Sequence, residues 1–433
     1  MSRFSIVYCL ILLVWVPASG YAQTKTVKDT LTIMQYNLLN YGVNESTCSN
    51  FDITLANKDV QLEKIIRYIN PDILAVNEMG CRNLFSKRIL ANCLNKGTTK
   101  YELTDLQVSG TQNLCNALFY NKEKLGLISS SAITKTKNGA NIIRAIDFHK
   151  LYIKGDYLSL SDTIRLYQLV AHLRASRGNE AEREKAAEGV MYHLEKNETT
   201  GNYILSGDFN VYRSSEGAYQ QFTKYSKQPY RFYDPVKQEG SWNNNSAYAK
   251  VHTQATRSNT QCGGMDDRFD FILTSNEVLN DSLRIRYIPN SYRAVGQDGK
   301  RFNGSVINPA NTDVPSSIAN NLYNMSDHLP VVLKLEVSYE VPTNIRSVRN
   351  NFQLSMVNPS SNGIQFTTNN SGESKKINFQ VFSLDGRMVK EGNADIRAGF
   401  QQHMIELSDK GIFLLKITNA ESQESSVHKV MVW

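Results

Sequence analysis

What the sequence lacks narrows its role before any motif is read. Beyond the first 22 residues no apolar run approaches the roughly 20 residues that a membrane-crossing helix needs. No two cysteines stand in a Cys-x-x-Cys pair, which removes the usual zinc frameworks and leaves the cysteines to disulfides. No internal repeat and no low-complexity tract is present, so a stacked-repeat architecture is set aside. Neither sign of charge dominates: 48 Lys and Arg stand against 41 Asp and Glu, a formal net charge of +7. That balance is compatible with a polyanionic substrate without requiring one.

The chain has 433 residues, enough for two or three domains. Its start reads as a secretory signal over 1–22: Arg3 supplies the positive charge, Ile6 to Val16 form a short apolar core, and Gly20-Tyr21-Ala22 offers small residues for cleavage. Export permits disulfides among Cys48, Cys81, Cys93, Cys115 and Cys262. Cys81 and Cys93 flank an expected helix over Arg82–Leu94, and twelve helical residues span about 18 Å, too far for a bridge. The first expectation is therefore Cys48 with Cys81, the second Cys93 with Cys115, and Cys262 is left over.

From Leu31 to Leu335 short apolar strands alternate with amphipathic helices, the pattern of a layered α/β domain. Strands are expected at Leu31–Asn37, Asp72–Glu78, Ala117–Tyr120, Ile164–Val170 and Asp270–Leu273, and a helix at Gln61–Ile69 with Leu62, Ile65, Ile66 and Ile69 on one face. Asn276 to Tyr323 is long and polar and reads as a surface insertion, and 338–347 as a linker. The tail, 348–433, has short β-rich runs separated by turns such as Asp385-Gly386, the pattern of a small antiparallel β-sandwich.

Two segments carry the most chemistry: Leu205-Ser206-Gly207-Asp208-Phe209-Asn210 and Met325-Ser326-Asp327-His328-Leu329-Pro330. Each sets ionisable residues against a strand-like apolar run. Asp208 and Asn210, one residue apart, face the same side of an extended segment. Such a pair suits a hard cation and a phosphate oxygen, although Asp and Asn also form simple turns. An Asp-His pair entering a strand suits a rigidly held imidazole base.

Six segments in order resemble the endonuclease/exonuclease/phosphatase family, with the deoxyribonuclease I-like fold. They are Gln35-Tyr36-Asn37-Leu38, Ala75-Val76-Asn77-Glu78, Ala171-His172-Leu173, Gly207-Asp208-Phe209-Asn210, Arg268-Phe269-Asp270-Phe271-Ile272-Leu273, and Ser326-Asp327-His328-Leu329-Pro330. The resemblance implies a four-layer α/β sandwich over 24–337. It implies Glu78 as metal ligand, with Asn37, Asp208 and Asp327 beside it. It also implies His328 as general base oriented by Asp270, and Asn210 and His172 on the phosphate. Asn77 stands where family members often have Gln. Arg144 resembles a substrate-phosphate contact, and Arg174, Arg177 and Arg183 form either a phosphate-facing rim or a plain basic helix surface. His149, His193, His252, His403 and His428 lie in no family motif and read as structural or surface residues.

The tail resembles the type A C-terminal sorting domain of the type IX secretion system, found in Bacteroidota. Asn358-Pro359-Ser360, Val381–Val389 and Leu407–Phe413 carry that resemblance, with Phe413 where Tyr is commoner. A carbohydrate- or partner-binding β module is the second reading. Together these features lead to the expectation of a secreted or cell-surface, divalent-metal-dependent phosphodiesterase, foremost a nuclease acting on nucleic acid. Mg²⁺ is the default cofactor because oxygen ligands suit it, with Mn²⁺ or Ca²⁺ as alternatives. The rivals are a sphingomyelin- or inositol-phosphate-cleaving enzyme and a non-catalytic binding module on the same fold.

Overall fold

The computed structural model describes residues 24–433 apart from 45–47, 49–50, 53, 109–112, 156–157, 159–162, 260, 343–351, 371–372 and 421–424. The expected signal segment, 1–22, lies outside the described residues, as does the second half of the expected linker, 343–347. The chain divides into two compact units, one over Thr26–Glu340 and one containing the C-terminal strands.

The larger unit is a pair of sheets. The chain begins the first with β1 (Thr24–Tyr41), crosses helix α1 (Leu55–Ile69) to β2 (Ile73–Gly80), and passes α2 (Asn83–Ile89) to β3 (Tyr101–Leu103) and β4 (Leu114–Asn121). It then builds the second sheet from β5 (Leu125–Lys135), β6 (Asn141–Ile153), β7 (Arg165–His172), α3 (Glu180–Asn197), β8 (Tyr203–Asp208), α4 (Gly217–Thr223), β9 (Phe232–Tyr233) and β10 (Asp270–Ser275). Through α5 (Asn276–Asn280), β11 (Ile285–Tyr287), β12 (Arg293–Ala294) and α6 (Ser316–Met325) it returns to the first sheet as β13 (Val331–Pro342). The strand orders are β11-β13-β1-β2-β4-β3, with β12 also on β13, and β5-β6-β7-β8-β10-β9.

Side-chain alternation explains the layering. On β7, β8 and β10, Leu166, Val170, Ile204 and Ile272 join the core shared with the first sheet, while Tyr167, Leu169, Leu205, Phe271 and Leu273 join a second core with α3 and α4. Helices α1 and α6 cover the far face of the first sheet through Leu62, Ile65, Ile318 and Leu322. The result is the four-layer sandwich, helices–sheet–sheet–helices.

Three expectations change. The segment Asn276–Tyr323 is not a surface insertion: β11 and β12 pair with β13, and Val278, Ile285, Val295, Val306 and Leu322 are buried. Its polar residues satisfy one another, as where Asp298 accepts hydrogen bonds from Arg301 and Thr312. The disulfides are Cys48–Cys262 and Cys81–Cys115, with Cα separations of 4.9 and 5.0 Å, and Cys93 is free and buried. Neither expected pair forms, because β2 and β4 run side by side and bring Gly80 opposite Leu114, next to Cys81 and Cys115. The start of the expected linker is instead the end of β13.

The C-terminal unit is a three-stranded sheet, β14 (Phe352–Val357), β15 (Gly363–Asn370) and β18 (Gly399–Glu406), and a four-stranded sheet, β16 (Lys375–Ser383), β17 (Met388–Ile396), β19 (Gly411–Asn419) and β20 (Ser425–Val432). All pairings are antiparallel, and the core is apolar, with Ile364, Phe366, Ile377, Leu415 and Val430 at its centre.

Candidate active site

Alternation delivers the polar residues to one place. Ser206 and Asp208 share the inter-sheet face of β8 with Ile204, and Asp270 shares that of β10 with Ile272. Antiparallel pairing sets Asp270 opposite Asp208, and parallel pairing sets His172 beside Asp208. Gly207 allows this close approach: a Cβ there would lie 1.7 Å from the Ala171 carbonyl oxygen, at a φ of 153°. From the first sheet, Asn37 donates from its carboxamide to Asp208 Oδ2 at 3.0 Å.

Glu78 reaches the site by breaking the rule. Alternation from Asn77, which faces the second sheet, would send Glu78 to the opposite face. The β2–β4 register shifts between Val76 and Met79, and Glu78 has a φ of 55°. This left-handed residue in a bulge turns the carboxylate back, so that Oε1 lies 3.6 Å from His172 Nε2. Behind it Asn77 Oδ1 accepts from the Asp208 backbone N–H at 3.1 Å, and its amide donates to Asn116 at 2.7 Å.

His328 follows α6 and is clamped from both sides. Its backbone N–H donates to Ser326 Oγ, which donates to the Asn37 carbonyl. Its Nδ1 hydrogen-bonds Asp270 Oδ2 at 2.7 Å, and Nε2 lies 3.8 Å from Asp208 Oδ2 and 3.9 Å from Asp327 Oδ1. Burial opposes the imidazolium, yet the charges of Asp270 and Asp327, the Asp270 hydrogen bond and the charge of Asp208 hold His328 well above the usual histidine range. His172 moves the other way: burial, then the charges of Arg144 and His328, hold it well below that range. Its Nε2 is 2.5 Å from Arg144 Nη1, which also donates to the Leu173 carbonyl. Asn210, at a φ of 52°, donates to the same carbonyl.

The structure thus brings Asn37, Glu78, His172, Asp208, Asp270 and His328 together, with Asp327, Asn210 and Arg144 at their edge. The three following arginines separate. Arg174 pairs with Glu182 at 2.7 Å and Arg177 reaches Asn243. Arg183 is fully buried, bound to Glu216 and two backbone carbonyls, and belongs to neither expected surface.

The carboxylates of Glu78 and Asp208 fit a hard divalent cation, whereas the imidazole of His172 is a softer donor whose Nε2 already meets Arg144 Nη1. Glu78, His172 and Asp208 each offer one atom, all within 4.8 Å of one another. Burial pushes Asp208 up to about 7, with His328 opposing and Asp270 and Glu78 adding, and burial and then Asp327 raise Glu78. A cation reverses both shifts by favouring the carboxylate form. Asp327 Oδ1 is buried without a hydrogen-bond partner among the described residues. The expected ligands Asn37 and Asp327 border this set, whereas His172, expected on phosphate, lies inside it.

Sequence reasoning missed two residues. Gln254 hydrogen-bonds Asp327 at 3.0 Å and His328 Nε2 at 2.9 Å from a loop with no motif. Lys58 on α1 is fully buried and donates at 2.7 Å to the carbonyls of both Leu38 and Met325, tying the end of β1 to the end of α6. Burial holds its ammonium down to about 7, although Asp327 and Glu78 favour the charged form. A lysine among polar neighbours on a helix carries no signal of burial. The one available hint was its place four residues before Leu62, on the expected apolar face.

A family model described as the Endonuclease/Exonuclease/phosphatase family matches residues 34–328, and one described as the secretion system C-terminal sorting domain matches 358–433. No curated protein matches the chain. Solved structures similar to it include the catalytic domain of human nocturnin with bound sulfate, 16% identical over 72% of this chain and 97% of that one, TM-score 0.47. A Bacteroides thetaiotaomicron protein of the endonuclease/exonuclease/phosphatase family is 16% identical over 72% of this chain and 99% of its own, TM-score 0.45. The mannosyl-6-phosphatase of the same organism is 17% identical over 70% and 99%, TM-score 0.43.

Proposed function

This chain belongs to the endonuclease/exonuclease/phosphatase family, and from that premise we propose that it is an exported, divalent-metal-dependent phosphodiesterase that cleaves nucleic-acid strands internally. Residues 24–337 are the hydrolase and 348–433 its type IX sorting domain, which implies a secreted or cell-surface protein. The observation that carries the reading is the His328–Asp270 pair at 2.7 Å, facing the carboxylate of Asp208 within a buried cluster of ligands.

In this reading the carboxylate charges that raise His328 would be offset by a cation beside Asp208, leaving the ring neutral, so that Nε2 takes the proton of the attacking water while Asp270 holds the ring in one tautomer and stabilises the charge it acquires. Asp270 Oδ2 is engaged by Nδ1, so Nε2, which also meets the Gln254 amide at 2.9 Å, is the ring nitrogen that faces Asp208. Asn37 and Asn210 hydrogen-bond the phosphate oxygens, and Arg144 and His172 face the developing charge from the other side. Glu78 and Asp208 would hold the metal, with Asn37 and Asp327 bordering it. The chemistry that a divalent cation such as Mg²⁺ would supply there is polarisation of the phosphate and stabilisation of the leaving oxygen.

The surface favours nucleic acid over a lipid bilayer. Along Asn276–Tyr323, Leu283 is the only large hydrophobic side chain exposed among the described residues, whereas membrane insertion needs a contiguous apolar patch. Arg144 and Arg174 instead line a cavity with His172. No helix among the described residues is long and apolar enough to cross a membrane.

The test is hydrolysis of plasmid DNA, RNA, sphingomyelin and bis-p-nitrophenyl phosphate with EDTA, then with Mg²⁺ or Mn²⁺ restored. Nicking of plasmid DNA that stops in chelator and returns with metal is expected. Full activity in chelator overturns the metal-dependent mechanism, and cleavage of sphingomyelin alone overturns the substrate class.

A further inference from the structure

A cavity of about 220 Å³ opens beside the reaction centre. His172 and Arg144 form its inner end, whereas His328 and Asp270 do not line it. It therefore opens from the His172–Arg144 side of the centre, and a displacement begun at His328 would send its leaving group toward it. Its floor is apolar: Ile142, Leu173 and Ala186 are buried there, on the face of β6 and α3 that forms the second core. Its outer rim is cationic, from Arg174 and Lys185, and the one acid, Glu182, is already paired with Arg174 at 2.7 Å.

We propose that this cavity is the subsite for the nucleotide on the leaving side of the scissile phosphate, with its sugar against the apolar floor, its base over the Arg174 guanidinium and its next phosphate on Lys185. The inference rests on the nucleic-acid reading above and adds to it the requirement for a second phosphate. Volume and charge select the occupant. At ~30 Å³ per water the cavity holds about seven waters, room for one ring-sized group and not for a lipid-length acyl chain. A neutral sugar would offer no anion to Lys185, whereas a strand supplies one at every nucleotide. Guanidinium planes such as that of Arg174 also stack on bases.

The test uses the full chain with Mg²⁺ on a mixed-sequence single-stranded DNA oligonucleotide and on bis-p-nitrophenyl phosphate, which lacks a second phosphate. Lys185→Glu changes the rim at an exposed position, Ala140→Phe narrows the cavity from the exposed β5–β6 turn, and Lys64→Glu makes the same charge change on the exposed face of α1. Lys185→Glu is expected to raise KM for the oligonucleotide roughly three- to tenfold and to lower the slope of log KM against log salt by about one. Its KM for bis-p-nitrophenyl phosphate stays unchanged. Ala140→Phe raises the oligonucleotide KM, and Lys64→Glu changes neither substrate. If wild type cleaves the oligonucleotide but Lys185→Glu and Ala140→Phe leave its KM and salt slope unchanged, the subsite is overturned and the nuclease reading stands. An equal effect of Lys64→Glu overturns it as well, by reducing the rim to long-range charge. Wild type that hydrolyses bis-p-nitrophenyl phosphate and ignores the oligonucleotide removes both the subsite and the nucleic-acid reading.

Discussion

The two units of this chain bury different kinds of residue. In the C-terminal unit the buried polar side chains are Ser360, Thr368, Asn370 and Asn419, and no ionisable side chain is buried among the described residues. In Thr26–Glu340 the buried set includes Lys58, Asp147, His172, Arg183, Asp208, Asp270, Arg301, Asp327 and His328. The strands differ accordingly. β8 and β10 are buried along their whole length, whereas β17 and β20 are mostly exposed or half-buried. A strand covered on both faces has no solvated side on which to place a charge. Each ionisable group there must be satisfied by a specific partner or belong to a site. The tail, a sandwich with one wet face per sheet, needs only an apolar interior to fold. What separates the units is that one gathers buried charge into the proposed site and the other, among the described residues, buries none. Substitutions can show whether each buried charge serves the reaction, the fold, or both.

The largest effect belongs to the base. Positioned general bases contribute roughly 10²–10⁴-fold in rate, so His328→Ala should lose turnover on that scale while keeping its fold, read as kcat on bis-p-nitrophenyl phosphate beside a melting curve. Asp270→Asn should lose much of it too, because the ring is then free to adopt the wrong tautomer. The two losses should not add, since both disable one unit. A folded His328→Ala variant with near-normal turnover on its best substrate would break the assignment.

Lys58 is expected to serve both ends. Lys58→Met keeps the length of the side chain but leaves the carbonyls of Leu38 and Met325 without their donor. A buried polar group without its partner costs about 1–3 kcal/mol, so a stability loss of about 2–4 kcal/mol by urea denaturation is expected. The same change frees the segments that carry Asn37 and His328, and a displacement of about 1 Å can cost up to 10²-fold in rate. A drop in kcat at unchanged KM, measured under conditions where the variant is folded, marks Lys58 as a positioning residue. A stability loss with normal kcat would confine it to the fold.

How much of this was legible follows from where each residue sits. Asn37, Asp208, Asp270 and His328 stand at the ends of apolar runs, so motif and strand point to the same position. Glu78 was legible as a motif, but not the bulge that turns it inward, because a left-handed φ at Glu leaves no mark in composition. Gln254 left no mark in the sequence, and Lys58 only its spacing from Leu62. Each acts on residues more than 70 positions away in one case and on backbone carbonyls in the other, and only the paired strands bring them into reach. The disulfides failed for the same reason, since Cys48 and Cys262 are 214 residues apart. Asn276–Tyr323 misled because its polar residues bond to one another, which in a sequence looks the same as bonding to water.

Asp298 shows the charge that serves only the fold. It lies in that segment, paired at 2.7 Å with the fully buried Arg301. Burial opposes its carboxylate, but hydrogen bonds from Arg301, the Lys300 N–H and Thr312 hold it below the usual carboxylate range. A depressed folded value contributes stability that is present above the unfolded value, about 3.9, and is lost as pH falls through the folded one. Asp298→Asn should therefore cost about 3 kcal/mol at pH 7, as expected for stranding a buried partner, and should make stability less dependent on pH below about 4. Turnover of the folded variant should be unchanged. An acid-unfolding curve parallel to that of wild type would remove Asp298 from this account.

The smallest effect is expected where the comparison began. The catalytic cluster draws every residue from Thr26–Glu340, and the C-terminal unit has its own core around Phe366, Ile377 and Leu415. A chain ending at Ser347 should therefore hydrolyse bis-p-nitrophenyl phosphate with kcat and KM within about twofold of the full chain, the scatter expected of changes away from a site. Its loss should be of export, because the sorting domain occupies 358–433. In the native host the secreted form should end before Val348, which mass spectrometry of the culture medium reads directly. If truncation instead lowers kcat tenfold or more, the tail contributes to the reaction, and the division between a unit that buries charge for chemistry and one that folds on apolar contacts alone fails as an account of what each does.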